Sequence, residues 1–170
     1  MRRQPTIAAA CRRKWRPGVF LVFLLVLAQG VCAQVQAKYI KKYRPLADSL
    51  SKEYGIPVAV ILGIAIVESG SGTSRNCKLL NNHFGIAGKN DLLKTKGIRT
   101  RYKQYKDATA SFVDFCKLQK KKKYYKRLKE NKQYMPWLDA ISKAGYSELP
   151  TVWKNKIITV IKRNKLSTTP

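Results

Sequence analysis

Gly55-Ile56-Pro57-Val58-Ala59-Val60-Ile61-Leu62-Gly63-Ile64-Ala65-Ile66-Val67-Glu68-Ser69-Gly70 is the stretch on which the fold turns. Pro57 suits the first turn of a helix, where the N–H it lacks would be unpaired anyway. From Val58 to Val67 the segment is apolar on all sides, the pattern of a helix at the centre of a core. Gly70-Ser71-Gly72 then supplies a stop. The predicted helix, Pro57 to about Ser69, carries one anomaly, Glu68, on the face shared with Ile61, Ile64 and Ala65. Burying a carboxylate is costly unless it is paired or used. Burial raises a carboxyl pKa, and the negative end of the helix dipole pushes the same way. A carboxyl kept protonated near neutral pH can give a proton to a leaving oxygen. A salt bridge to one of the many Lys or Arg side chains is the alternative that spacing leaves open.

Working outward, turn signals divide the chain into short helices with one extended stretch, so the reading is mainly α. Pro45 opens a predicted helix that runs to about Tyr54, where Gly55 ends it. Cys77 to Lys89 reads as a short helix or turn. From Lys94 to Tyr105 the pattern becomes extended, and Arg99 to Tyr105 suggests one or two small strands. Asp107 is a suitable N-cap for a helix that turns Phe112, Phe115, Cys116 and Leu118 inward. Pro136 starts another, with Trp137, Leu138 and Ile141 apolar and Gly145 placed to end it. The last, Pro150 to about Asn164, sets Trp153, Ile157, Val160 and Ile161 on one face.

Residues 1–33 read as a signal peptide and residues 34–170 as a single domain. Arg2, Arg3, Arg12, Arg13, Lys14 and Arg16 precede an apolar run from Val19 to Ala28, and Val31-Cys32-Ala33 offers small residues for cleavage. That run is shorter than the roughly 18 to 20 residues that span a bilayer. The whole chain has a net charge of +26. Residues 1–33 hold six of its 35 basic residues and none of its nine acidic ones, leaving 29 basic against nine acidic, or +20. An exported protein so charged meets anionic wall polymers and lipids before nucleic acid, which is therefore not the expected primary partner. The densest basic run, Lys120 to Lys123 followed by Lys126 and Arg127, reads equally as a solvated face and as a binding patch. Cys77 and Cys116 remain as an even pair, compatible with one disulfide or with two buried thiols. No metal or cofactor is expected, because His83 is the only histidine and no phosphate-binding loop is present.

Four segments in order resemble glycoside hydrolase family 73. Gly55-Ile56-Pro57 with the helix ending Val67-Glu68-Ser69-Gly70 resembles its catalytic helix. Asn82-His83-Phe84-Gly85-Ile86 resembles its Asn-x-Phe-Gly-Ile/Val element. Tyr102-Lys103-Gln104-Tyr105 through Ser111-Phe112-Val113-Asp114-Phe115 is similar to the strand and helix that follow. Ala144-Gly145-Tyr146, then Pro150 and Trp153, resembles its Ala-Gly-Tyr-x-x-x-Pro-x-Tyr element. The match spans about residues 39 to 165. It implies a lysozyme-like α+β fold, mainly α, with a helical lobe and a small β-lobe flanking a groove. The implied activity is that of an endo-β-N-acetylglucosaminidase cutting peptidoglycan glycan strands, exported and wall-associated, acting as a monomer. On that resemblance Glu68 is the general acid, and Ser69 stands beside it in the motif. Asn82, Phe84 and Gly85 shape the groove floor, and Tyr146 reaches the sugar near the cut. Tyr102, Tyr105 and Trp153 are stacking platforms or, for Tyr105 and Trp153, ordinary core aromatics.

The sequence departs from the family in one respect. Many members carry a second carboxylate in the β-lobe, whereas between Ile86 and Asp107 this chain offers only Asp91. An inverting mechanism would need a base roughly 6.5 to 9.5 Å from the acid, which makes Asp91 the candidate. Otherwise the 2-acetamido group of the substrate attacks, oriented by Tyr146. A lytic transglycosylase, which needs one acid, and a weakly catalytic basic wall-binding protein are the competing readings.

Overall fold

A computed structural model describes the backbone of residues 17–167 and the side chains from Ala33 onward. The chain divides into two units between Gln34 and Val35. Of the expected signal peptide, residues 1–16 lie outside the described residues, and 17–32 enter only as helical backbone. The account below concerns the second unit.

Among the described residues eight helices follow one another: α1 Pro17–Tyr54, α2 Val58–Ser69, α3 Arg75–Leu80, α4 Leu92–Lys96, α5 Ala108–Lys120, α6 Tyr125–Leu128, α7 Tyr134–Lys143 and α8 Pro150–Arg163. Pro45 does not open a helix; it lies inside α1. An interior proline forfeits one backbone hydrogen bond and costs about 3 kcal/mol. Against that cost, Tyr39, Ala47, Leu50 and Tyr54 are buried along one face, with Tyr43 packed beside them. Their spacings of three, four and eight residues make a helical stripe that begins before Pro45, which explains why the helix does too. No helix among the described residues is long and apolar enough to cross a membrane.

α2 fulfils its reading. Ala59 through Ile66 are all buried, and α8 packs on it along with α7. A side chain at Gly63 would place its Cβ 2.9 Å from Cγ1 of Ile161, so α8 approaches the α2 backbone where only glycine leaves room. At the other end Gly70 adopts φ 56°, and the N–H groups of Gly70 and Ser71 both donate to the Ile66 carbonyl. Ser69 completes the stop, donating to Ala65 O at 2.6 Å and accepting from Gly72 N at 2.9 Å. Asp107 caps α5 as expected, accepting from Ala110 N at 2.7 Å.

The expected small strands are not formed among the described residues. The stretch expected to be extended, Lys94 to Tyr105, contributes a single antiparallel bridge, Tyr102 with Ala87, and its first residues, Lys94 to Lys96, belong to helix Leu92–Lys96. Backbone bonds join the two stretches that meet there, at Gly88 N to Arg101 O, Lys103 N to Ile86 O and Gln104 N to Lys89 O, and side chains brace them. Asn82 Nδ2 donates to Ile86 O and Lys103 O, both at 2.8 Å, while its Oδ1 accepts from Phe84 N and Ile86 N. Asn90 Nδ2 likewise bridges Thr100 O and Tyr102 O. Two amide side chains thus supply donors to carbonyls on both stretches and pin the short backbone pairing in place.

The cysteine pair is not bonded. Both thiols are free and buried. Cys77 lies on α3 with its sulfur 3.5 Å from the His83 ring, whereas Cys116 projects from α5 into the main core.

Candidate functional site

The last turn of α2, the turn at Phe84–Gly85, Tyr102, the loop Ala144–Leu149 and the start of α8 enclose a groove of about 910 Å³. Glu68 stands in its wall, half-buried, and Oε1 accepts the indole N–H of Trp153 at 2.7 Å. No cation lies within ion-pair distance of it among the described residues, so the salt-bridge alternative is not realised. Burial raises the Glu68 pKa above its ordinary value of 4.5, outweighing the opposing pull of the Trp153 hydrogen bond and of the Lys156 charge.

Gly85 is the backbone against which the carboxylate rests. With φ 65°, it occupies the left-handed region, and a Cβ there would come within 3.3 Å of Glu68 Oε2. Phe84 is fully buried, stacked on Phe115 with ring centroids 4.2 Å apart. It anchors the turn, and its carbonyl accepts from the Tyr146 hydroxyl at 2.8 Å. Burial, and then the charge of Glu68, push the Tyr146 phenol well above its usual pKa, so it stays protonated. The Tyr146 ring also packs against Trp153, 5.3 Å between centroids. Acid, indole, phenol and turn therefore form one connected assembly from four segments of sequence.

Glu68, Phe84, Gly85, Tyr102, Tyr146 and Trp153 line the groove together. Four other expected site residues do not. Ser69 is spent on ending α2, and Asn82 acts from behind the groove by clamping the turn. Tyr105 is a core aromatic, donating to Asp114 at 2.8 Å. Asp91 is exposed at the start of α4, its backbone N–H bonded to Gln104 and its carbonyl to Thr95. Those backbone bonds hold it in the outer turn of α4, away from the groove lining.

Sequence reasoning missed Glu148, Arg101 and Lys156, all of which line the groove. Glu148 lies two residues after Tyr146, inside a motif already singled out, so position in that motif was the available signal. Arg101, Lys122 and Lys156 give the groove a cationic rim. Lys122 belonged to the basic run and Arg101 to the extended stretch that sequence marked, neither of them as a groove residue.

Residues 44–166 match the glucosaminidase family, described as mannosyl-glycoprotein endo-beta-N-acetylglucosaminidase. The chain belongs to that family. It is accordingly a glycoside hydrolase. No curated protein matches the chain in sequence. Among solved structures it is similar to the catalytic domain of the autolysin Auto from Listeria monocytogenes, with 22% identity over 78% of this chain and 86% of that one, TM-score 0.64. The glycoside hydrolase domain of FlgJ from Salmonella typhimurium matches at 21% identity over 76% and 88%, TM-score 0.60. A peptidoglycan hydrolase mutant from Sphingomonas sp. A1 matches at 20% over 77% and 95%, TM-score 0.59. These likenesses establish a mainly helical, lysozyme-like fold for the glucosaminidase domain.

Proposed function

We propose that this glucosaminidase is an exported, wall-associated endo-β-N-acetylglucosaminidase that cuts peptidoglycan after N-acetylglucosamine, with Glu68 as general acid. The observation that carries the reading is the carboxyl of Glu68, set in the groove wall without a cation partner and raised in pKa by burial. In that state it protonates the glycosidic oxygen as the C1–O bond breaks. The solved relatives that include an autolysin and a peptidoglycan hydrolase support the choice of polymer. The charge of +20 on residues 34–170 supports an anionic, wall-bound setting.

Glu148 is the other carboxylate lining the groove and is the group assigned here to activate water. A second reading is favoured by Tyr146. Its hydroxyl donates to Phe84 O and keeps lone pairs free to accept an N–H from the substrate's 2-acetamido group, whose oxygen would then attack C1. Digestion of purified sacculi tests both. Glu68→Gln should lower cleavage by about 10²- to 10⁴-fold while wall binding persists; wild-type digestion by that variant would move the acid role to another residue, and no digestion by either chain would make wall binding the better function. A comparable loss in Glu148→Gln supports water activation, and a small one supports the acetamido route. Reducing N-acetylglucosamine ends are expected in the products. Anhydro-muramyl ends would identify a transglycosylase instead.

A further inference from the structure

A second cavity, of about 380 Å³, shares no lining residue with the groove. It lies behind the catalytic turn: Ser69 and His83, neighbours in sequence of Glu68 and Phe84, are joined there through Tyr39. The Tyr39 hydroxyl is 2.6 Å from His83 Nδ1 and 3.5 Å from Ser69 Oγ. Tyr39 and His83 are buried at 5% and 4% exposure yet still face the cavity. Its lining includes three lysines, Lys38 and Lys42 from α1 and Lys78 from α3, with Lys42 Nζ 5.2 Å from the ring centre of Tyr43, another lining residue.

Charge and chemistry agree on what this cavity accepts. No Asp or Glu lines it, and none of the three lysines has a carboxylate partner among the described residues. Lys38 and Lys42 stand four residues apart on one helix face, an arrangement of like charges that is unfavourable until an anion sits between them. The floor is polar and uncharged: burial, reinforced by the charge of Lys42, lowers the His83 pKa to about 4. Asn81 and Tyr39 add hydrogen-bonding groups. We infer that this cavity is a binding site for a phosphate group, most naturally a phosphate monoester. Three lysines present compact point charges, and their summed attraction is greater for a dianion than for a singly charged carboxylate. The volume leaves room for a small polyol attached to the phosphate, against the ring of Tyr43. The source is either free phosphate or a phosphate ester of an envelope polymer or lipid.

The site does not depend on the glucosaminidase chemistry, so its test is run on the full chain carrying Glu68→Gln as well as on the wild type. Inorganic phosphate, glycerol 3-phosphate and acetate are titrated while NMR follows Tyr39, Cys77 and His83. Phosphate probes should shift these residues in both chains, with acetate binding more weakly. Glycerol 3-phosphate binding more tightly than inorganic phosphate assigns the site to an ester, and equal binding assigns it to free phosphate. The exposed pair Lys42→Gln/Lys78→Gln should weaken binding at least tenfold, the order expected for a lost charged hydrogen bond. Lys120→Gln/Lys123→Gln, which removes the same charge elsewhere, should leave it within about twofold, the scale of a screened surface charge. Equal losses in both pairs, acetate binding as tightly as phosphate, or no response at Tyr39, Cys77 and His83 would overturn the assignment.

Discussion

The indole of Trp153 donates to Glu68 across 2.7 Å, tying the start of α8 to the last turn of α2. Since α8 packs along α2 through Ile157 and Ile161 at Gly63, the donor is held by the core itself. The bond stabilises the ionised carboxylate and so limits how far burial can raise its pKa. Trp153→Phe keeps an aromatic ring and removes the donor. The Glu68 pKa should rise further, and the alkaline limb of the kcat/KM profile, where the acid loses its proton, should move to higher pH. Lys156→Gln should shift it in the same direction. A limb that stays in place in both variants would show that another group sets it.

Gly85→Ala should damage the site from the backbone side. Alanine at φ 65° is strained by about 1 kcal/mol, and its Cβ would press on Oε2 of Glu68 at 3.3 Å. Activity should fall by more than tenfold, more than that strain alone would predict, with a modest loss of urea stability. An active Gly85→Ala enzyme would mean that the carboxylate position tolerates displacement.

Glu68→Gln should make the protein more stable. The folded-state pKa of Glu68 is raised above its ordinary value of 4.5, so the native state binds the proton more tightly than the unfolded chain. Stability is therefore lost as pH rises through the folded pKa, and it is unaffected below the unfolded one. Glutamine removes that loss. Thermal unfolding should give a higher Tm for the variant at pH 7, by on the order of 1 to 3 °C, with the difference vanishing near pH 4. A lower Tm at pH 7 would contradict the sign.

Both cysteines should behave as inert thiols. Burial pushes Cys77 up to about 11, against the pull of Lys42, and Cys116 up to about 12, with Glu53 adding to it. Alkylation at pH 8 should be slow in the native protein and reach two adducts only in denaturant. A native mass two units lighter without reductant would reveal a Cys77–Cys116 bond instead.

Asp114→Asn should destabilise. Burial raises the Asp114 pKa, but hydrogen bonds from Lys103 at 2.7 Å and Tyr105 at 2.8 Å outweigh it and leave the group below its usual value. The carboxylate therefore adds stability above the unfolded pKa, which is lost as pH falls through the folded one. Urea unfolding at pH 7 should show a loss of about 1 kcal/mol, the scale of a partly exposed charged pair. The difference should narrow in acid.

What the sequence determined by itself was everything whose cause lies within a few residues. The apolar run of α2, the stop at Gly70, the cap at Asp107 and the stripe Trp153, Ile157, Ile161 each follow from local sterics and periodicity. Glu68 was legible because a charge in an apolar helix has a cost wherever the helix packs. The tertiary structure decided what depends on distant partners. It carried α1 through Pro45, because burial of Tyr39 and Tyr43 offsets the missing hydrogen bond. It reduced the expected strands to a single bridge braced by Asn82 and Asn90, kept Cys77 apart from Cys116, and left Asp91 outside the groove lining. It also brought Glu148, Arg101 and Lys156 into the lining of the groove that holds Glu68. Spacing along a chain fixes which face of a helix a residue occupies, but which faces meet is set only when α2 and α8 close on a common core.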